Sequence, residues 1–285
     1  MNHIFLAGAP RPKMLVYLFL FLILFSAASF AQQKLIDPRD EARAIEFFNK
    51  GCRCPAADFA CQIENFSKAV EIFPEFVEAY NNRGLAHFMS GDRAAAERDF
   101  SRAVEIHPFF TNAFYNRAAL YADAGQTQKA ISDFTRAIEL APALTLAYIG
   151  RGNVYLSEKN YEAALKDFDE ALRLEPDQAE TFYNRGLVFY HRKDFDRAVR
   201  DFSKAIEINP HLVFAYLNRG ICFDEKGNRQ LALEDFTKFI ELAPDDVRGY
   251  QSRADLYERL GESSKAAVDR KKVSELKKNV AFQVS

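Results

Sequence analysis

The sequence predicts an all-α fold, a solenoid of about seven helix-turn-helix units, and three observations carry that expectation. Prolines stand at 74, 108, 142, 176, 210 and 244, each 34 residues from the next. Proline has no N–H and its ring clashes with the preceding turn, so a regular proline marks a regular helix end. Eight residues before each proline is a phenylalanine: Phe66, Phe100, Phe134, Phe168, Phe202 and Phe236. Small residues recur twelve positions upstream (Ala96, Ala130, Ala164, Ala198, Ala232) and again at Gly84, Ala118, Gly152, Gly186 and Gly220. A unit of this length holds two helices and a turn, and self-similarity at such a period marks stacked repeats.

Taken from the amino end, the elements are as follows. Arg11 and Lys13 precede an uncharged apolar run from Met14 to Phe25, and small residues follow to Ala31. That order predicts a signal peptide over residues 1–31, cleaved after Ala31, and export to the periplasm or the extracellular space. The alternative is an uncleaved anchor from Met14 to Ala31, which also leaves the folded part outside the cytoplasm. Residues 32–279 are expected to form one continuous solenoid, because a lone hairpin leaves an apolar face in water and stacking buries it.

In the first unit Arg43, Ala44, Phe47 and Gly51 match the spacing of Arg117, Ala118, Tyr121 and Gly125, and six extra residues, 52–57, delay the second helix to about Phe59. In the five complete units that follow, aromatic residues at Tyr80, Phe114, Tyr148, Phe182 and Tyr216 fill the space beside the small positions. In the last, Arg270 replaces the Phe and Lys278 the Pro, with Lys271, Lys272 and Lys277 beside them, as a terminal repeat with a polar outer face requires. Residues 280–285 are expected to be a tail.

The 34-residue period, the Gly/Ala and aromatic positions of the first helix, and the Ala, Phe, Ala and terminal Pro of the second closely resemble the tetratricopeptide repeat family, over about residues 37–279. The resemblance implies a right-handed superhelix whose concave wall is made by the first helix of every pair, used to hold a protein or peptide partner.

Where that family has an apolar residue, this sequence has Arg83, Arg117, Arg151, Arg185 and Arg219, and the second helices answer with Asp99, Asp133, Asp167, Asp201 and Asp235. Arg253 and Asp269 keep the phase. Half-buried charges are costly unless matched, and Arg suits a two-pronged carboxylate contact, so structural pairs are expected. One residue before these arginines come Asn82, Asn116, Asn184 and Asn218, interrupted by Gly150 and Ser252. An amide offers both donor and acceptor to a peptide unit. Local similarity to the superhelix of O-linked N-acetylglucosamine transferase implies that these four asparagines grip the main chain of an extended peptide; simple helix solvation is the alternative. Tyr115, Tyr183, Leu187 and Tyr190 form an apolar stripe on the same helices, divided between core and groove.

Cys52, Cys54 and Cys61 cluster in the first unit without a neighbouring His, so a disulfide is favoured over zinc in an exported protein. If Pro55 starts the second helix, Cys54 and Cys61 lie about two turns, roughly 10 Å, apart, too far to bridge, so Cys52–Cys61 is preferred. Cys222 sits in an apolar column and reads as core.

Lys and Arg number 38 against 40 acidic residues, which gives no field to draw nucleic acid. No phosphate-binding glycine loop, metal-binding His pair or nucleophile elbow occurs, so no cofactor, no metal and no small-molecule substrate are expected, and a membrane enters only if the leader is uncleaved. The expected function is a non-catalytic scaffold for an extended peptide or a partner protein; the alternative is an accessory or chaperone subunit of an envelope enzyme or assembly complex.

Overall fold

A computed structural model of the protein describes residues 36–283, all helix and connection with no strand among them. The expected signal peptide, residues 1–31, and the last two residues of the expected tail lie outside the described residues. Seven hairpins follow one another: α1 (Pro38–Arg53) with α2 (Phe59–Ile72), α3 (Val77–Met89) with α4 (Arg93–Ile106), α5 (Thr111–Asp123) with α6 (Thr127–Leu140), and α7 (Thr145–Ser157) with α8 (Tyr161–Leu174). Then come α9 (Ala179–His191) with α10 (Phe195–Ile208), α11 (Val213–Glu225) with α12 (Arg229–Leu242), and α13 (Val247–Arg259) with α14 (Ser263–Gln283). The expected tail is therefore helical as far as Gln283. The protein is an all-α repeat solenoid, and it divides into two compact units, one ending at Phe76 and the other starting at Val77.

In the first unit, α1 begins with Asp37 accepting a hydrogen bond from the Arg39 N–H and with Pro38 in its first turn, where no N–H is needed. The helix does not stop at Gly51. Gly51 is helical and buried, and a Cβ there would meet the Phe66 ring at 2.6 Å. Its place in the sequence suggests a turn glycine, yet its role is to let Phe66 approach. Phe48 stacks obliquely on Phe66 and Phe76, closing a small aromatic core.

In the second unit each hairpin turns at one backbone position in the left-handed region, occupied by Gly91, Gly125, Gly227 and Gly261 but by Lys159 and Lys193 in the two middle hairpins. Glycine enters that region without steric cost, and lysine does not. Asp92 and Asp194 then cap α4 and α10 by accepting from the Ala95 and Arg197 N–H groups. Each second helix ends before its proline, and Tyr148, Tyr216 and Tyr250 of the following helices donate a hydrogen bond to the carbonyls of Pro142, Pro210 and Pro244.

Packing follows the columns of the sequence. Phe100, Phe134, Phe168, Phe202 and Phe236 are buried together with the alanines four residues before them. A Cβ on Gly186 would lie 2.7 Å from the Phe202 ring, so the small residue is what brings the two helices of that hairpin together.

Candidate functional site

Within the second unit every first helix touches the next first helix, and among the described residues no second helix makes a comparable contact with the next second helix. The layer of α3, α5, α7, α9, α11 and α13 is thus the tighter one, and its free face is the inner wall of this unit.

The arginines sit at the back of that wall. Nε and Nη2 of Arg83, Arg117, Arg151, Arg185 and Arg219 donate to the two carboxylate oxygens of Asp99, Asp133, Asp167, Asp201 and Asp235, at 2.6 to 3.0 Å. Arg253 and Asp269 do the same at 2.8 Å. All six aspartates are buried. The hydrogen bond and charge of Asp167 hold the Arg151 guanidinium above its ordinary range despite burial, while burial pushes the Asp235 carboxyl up against the pull of Arg219.

A third partner has no counterpart in the sequence reading. Nη1 of Arg117, Arg151, Arg185, Arg219 and Arg253 donates backwards to Ser101, Thr135, Asp169, Ser203 and Thr237 of the preceding hairpin. Each arginine therefore ties three helices together. The signal was present: a Ser, Thr or Asp stands seven residues before each proline, one place after the phenylalanine column.

The asparagines are half-buried on the inner side of the arginines. Asn116 donates to the Asn81 Oδ1 at 2.9 Å, and Asn218 to the Tyr183 hydroxyl at 3.0 Å, each reaching back 35 residues to the previous first helix. Asn81 in turn donates to Asn82. Opposite Asn184 the same step back falls on Ile149, which cannot accept, so the Asn184 amide is not engaged in this way. Gly150 breaks the series because the Phe134 ring lies where its Cβ would be, at 2.5 Å. The asparagine column is in part a clasp between neighbouring first helices.

The apolar stripe is half-buried as well. Tyr115 packs on Phe134 and Tyr183 on Phe202, with ring centroids 5.9 and 5.8 Å apart, while Leu187 and Tyr190 lean on the packed cluster around Phe189 and Phe202. Burial raises the Tyr183 phenol above its ordinary range, against the Asn218 hydrogen bond. Leu85, in the same repeat position as Leu187, is exposed, and three further exposed apolar groups that the sequence pattern did not single out, Met89, Leu146 and Phe214, join the stripe. Leu146 and Phe214 occupy one repeat position, and Arg248, the next residue in that column, lies over the Phe214 ring at 4.4 Å.

In the first unit the expected Cys52–Cys61 pairing is corrected: the disulfide joins Cys54 to Cys61, with Cα atoms 6.0 Å apart. Pro55 does not start the second helix. Residues 55–58 form a turn, α2 begins at Phe59 with Asp58 capping the Cys61 N–H, and the two-turn separation that would have kept the thiols apart never arises. Cys222 is fully buried, and burial pushes its thiol up to about 12. At the far end Arg270 pairs with Glu258 at 3.0 Å, and Lys271, Lys277 and Lys278 are exposed.

Comparison with known proteins places these features. Models described as tetratricopeptide repeat match residues 77–110, 111–144, 152–216 and 214–246. Curated protein sequences give no significant match. Among solved structures, the chain is similar to a tetratricopeptide repeat protein from Parabacteroides merdae, with 22% identity over 82% of this chain and 93% of that one and a TM-score of 0.64. It is similar to Pseudomonas aeruginosa pilF, with 20% identity over 71% and 92% and a TM-score of 0.63. It is also similar to YrrB, described as a TPR protein with an unusual peptide-binding site, with 22% identity over 67% and 98% and a TM-score of 0.58. At these identities the likeness is one of fold.

Proposed function

Because the chain belongs to the tetratricopeptide repeat family, a family of protein-interaction scaffolds, we propose that it is an exported, non-catalytic scaffold that holds an extended peptide segment of a partner along the inner wall of the second unit. The observation that carries this reading is the exposed Leu85, Met89, Leu146 and Phe214 on first helices whose own cores are already filled by the phenylalanine column. A helix needs no second apolar stripe to fold, and large exposed apolar groups on one wall are the mark of a binding surface. Asn184 contributes an amide to the same wall. Tyr183 and Tyr190 offer ring faces beside it, and backbone grip with side-chain pockets is how extended peptides are held. The peptide site of YrrB is consistent with this use of the fold. Export is supported by the Cys54–Cys61 disulfide, which persists in oxidising compartments, and by the leader-like residues 1–31.

The test is titration of the chain lacking residues 1–31 with a fluorescent peptide library. Micromolar binding, about −8 kcal/mol, is expected for an unstructured ligand that must be ordered. Asn184→Ala should weaken peptides alike, and Tyr183→Ala should weaken chiefly those with bulky apolar side chains. Wild-type affinity in both variants would remove the inner wall from the function.

A further inference from the structure

In the second unit the first residue of each second helix stands 30 positions before the last residue of the next first helix, and these two places meet at the turn edge of the wall. Arg93 meets Asp123, donating to its carboxylate at 2.8 Å, and Tyr161 stacks on His191 at 6.0 Å with rings nearly parallel. At the next step the two places hold Phe195 and Glu225. The carboxylate of Asp123 has returned, but a phenylalanine ring stands where Arg93 supplied the cation.

Between them lies an open cavity of about 310 Å³ lined by Tyr190, His191, Lys193, Phe195 and Glu225. The Tyr190 ring is 6.2 Å from Phe195 and 5.3 Å from His191. Glu225 is exposed and has no ion pair among the described residues, and its neighbours are taken: Lys226 bonds Asp196 and Asp224 bonds Arg259. Lys193 is the one lysine on the lining, held in the left-handed region at φ 59, and His191 is occupied by its stacking on Tyr161. A carboxylate set among aromatic rings is complementary to an organic cation, which gains both charge pairing and attraction to the ring faces.

We propose that this cavity seats a lysine or arginine side chain of the bound peptide, so that the scaffold selects segments in which a basic residue lies next to apolar ones. The adjacency comes from the wall itself, since Tyr190 is both the end of the Tyr183, Leu187, Tyr190 stripe and a side of the cavity. The inference rests on the peptide-binding reading above and adds the charge of the ligand to it.

The test uses three pools of fluorescent octapeptides, acetylated and amidated, with a fixed fourth residue and Ala, Leu, Ser or Tyr elsewhere. The fixed residue is Lys, norleucine or Glu. The chain lacking residues 1–31 should bind the Lys pool roughly fivefold more tightly than the norleucine pool, the sum of an exposed ion pair and a cation–π contact, and the Glu pool most weakly. Glu225→Gln, checked for unchanged helical signal and melting, should bring the ratio near one. Lys193→Gly, which suits the left-handed backbone and removes the competing ammonium, should raise it. Equal binding of the Lys and norleucine pools, or a preference that survives Glu225→Gln, overturns the cation site while leaving peptide binding in place. Failure of every pool to bind overturns both readings.

Discussion

A guanidinium that reaches two helices at once explains why arginine rather than lysine fills its column. Arg151 needs Nε and Nη2 for Asp167 and Nη1 for Thr135, a fork that an ammonium on a flexible stem does not offer. Removing one partner strands a buried charge, so Arg151→Leu should cost about 3–5 kcal/mol, and adding Asp167→Leu should restore part of that loss. Urea unfolding of the two variants checks it, and a double variant less stable than the single one would contradict the pairing account. Cys222 tests burial at the same scale. With its thiol pushed up to about 12, it stays protonated at neutral pH and should resist iodoacetamide in the native protein, reacting only on unfolding. The column of arginines and aspartates was legible in the sequence because both recur at the 34-residue period. The Ser, Thr and Asp column was not legible in the same way because three residue types share one hydrogen-bonding role, so no single identity recurs at the period.

At the scale of the element, turns and junctions show where local sequence rules were sufficient and where tertiary packing overrode them. The left-handed turn position is glycine in four hairpins and lysine in two. Lys159→Gly should therefore stabilise the protein by roughly 1 kcal/mol, the relief of a side chain from that region exceeding the extra freedom of the unfolded chain. A lower midpoint in chemical denaturation would mean that Lys159 makes a contact worth more than its strain. At the last junction Phe239 replaces the alanine of earlier repeats, and Gly249 answers it: a Cβ there would lie 2.4 Å from the Phe239 ring and 2.8 Å from Ile240. Gly249→Ala should destabilise by about 1–3 kcal/mol through overpacking, measured as the loss of midpoint in the same experiment. This exchange of sizes is visible in the sequence, because Phe239 and Gly249 stand one 34-residue period after Ala205 and Ala215. The cysteine insertion was opaque for the opposite reason. Repeat spacing put the start of the second helix near Phe59, but the six inserted residues have no repeat to copy, and the pairing turned on whether Pro55 joins that helix or, as found, the turn before it. Mass spectrometry of non-reduced peptides should find Cys54 linked to Cys61, and Cys54→Ser should lower the stability of the first unit by about 2–3 kcal/mol, as expected for a short closed loop.

For the molecule as a whole, the repeat settles architecture and leaves function to the few positions that break it. Fold class, hairpin number and the buried phenylalanines were all legible because each is specified many times over. The inner wall was less so. Tyr183 packs on the Phe202 ring yet stays half-buried, a division between core and surface that the sequence pattern did not resolve. The asparagines likewise divide: Asn116 and Asn218 clasp the preceding first helix, and Asn184, with Ile149 opposite, does not. The central claim is that the layer of first helices is the working surface, and photo-crosslinking addresses it directly. A photoreactive phenylalanine derivative placed at Leu146 on the inner wall, and separately at Arg136 and Arg173 on second helices, is irradiated with the Lys octapeptide pool. The account predicts peptide adducts from position 146 and none above background from 136 or 173. Adducts from the second helices with none from position 146 would contradict it.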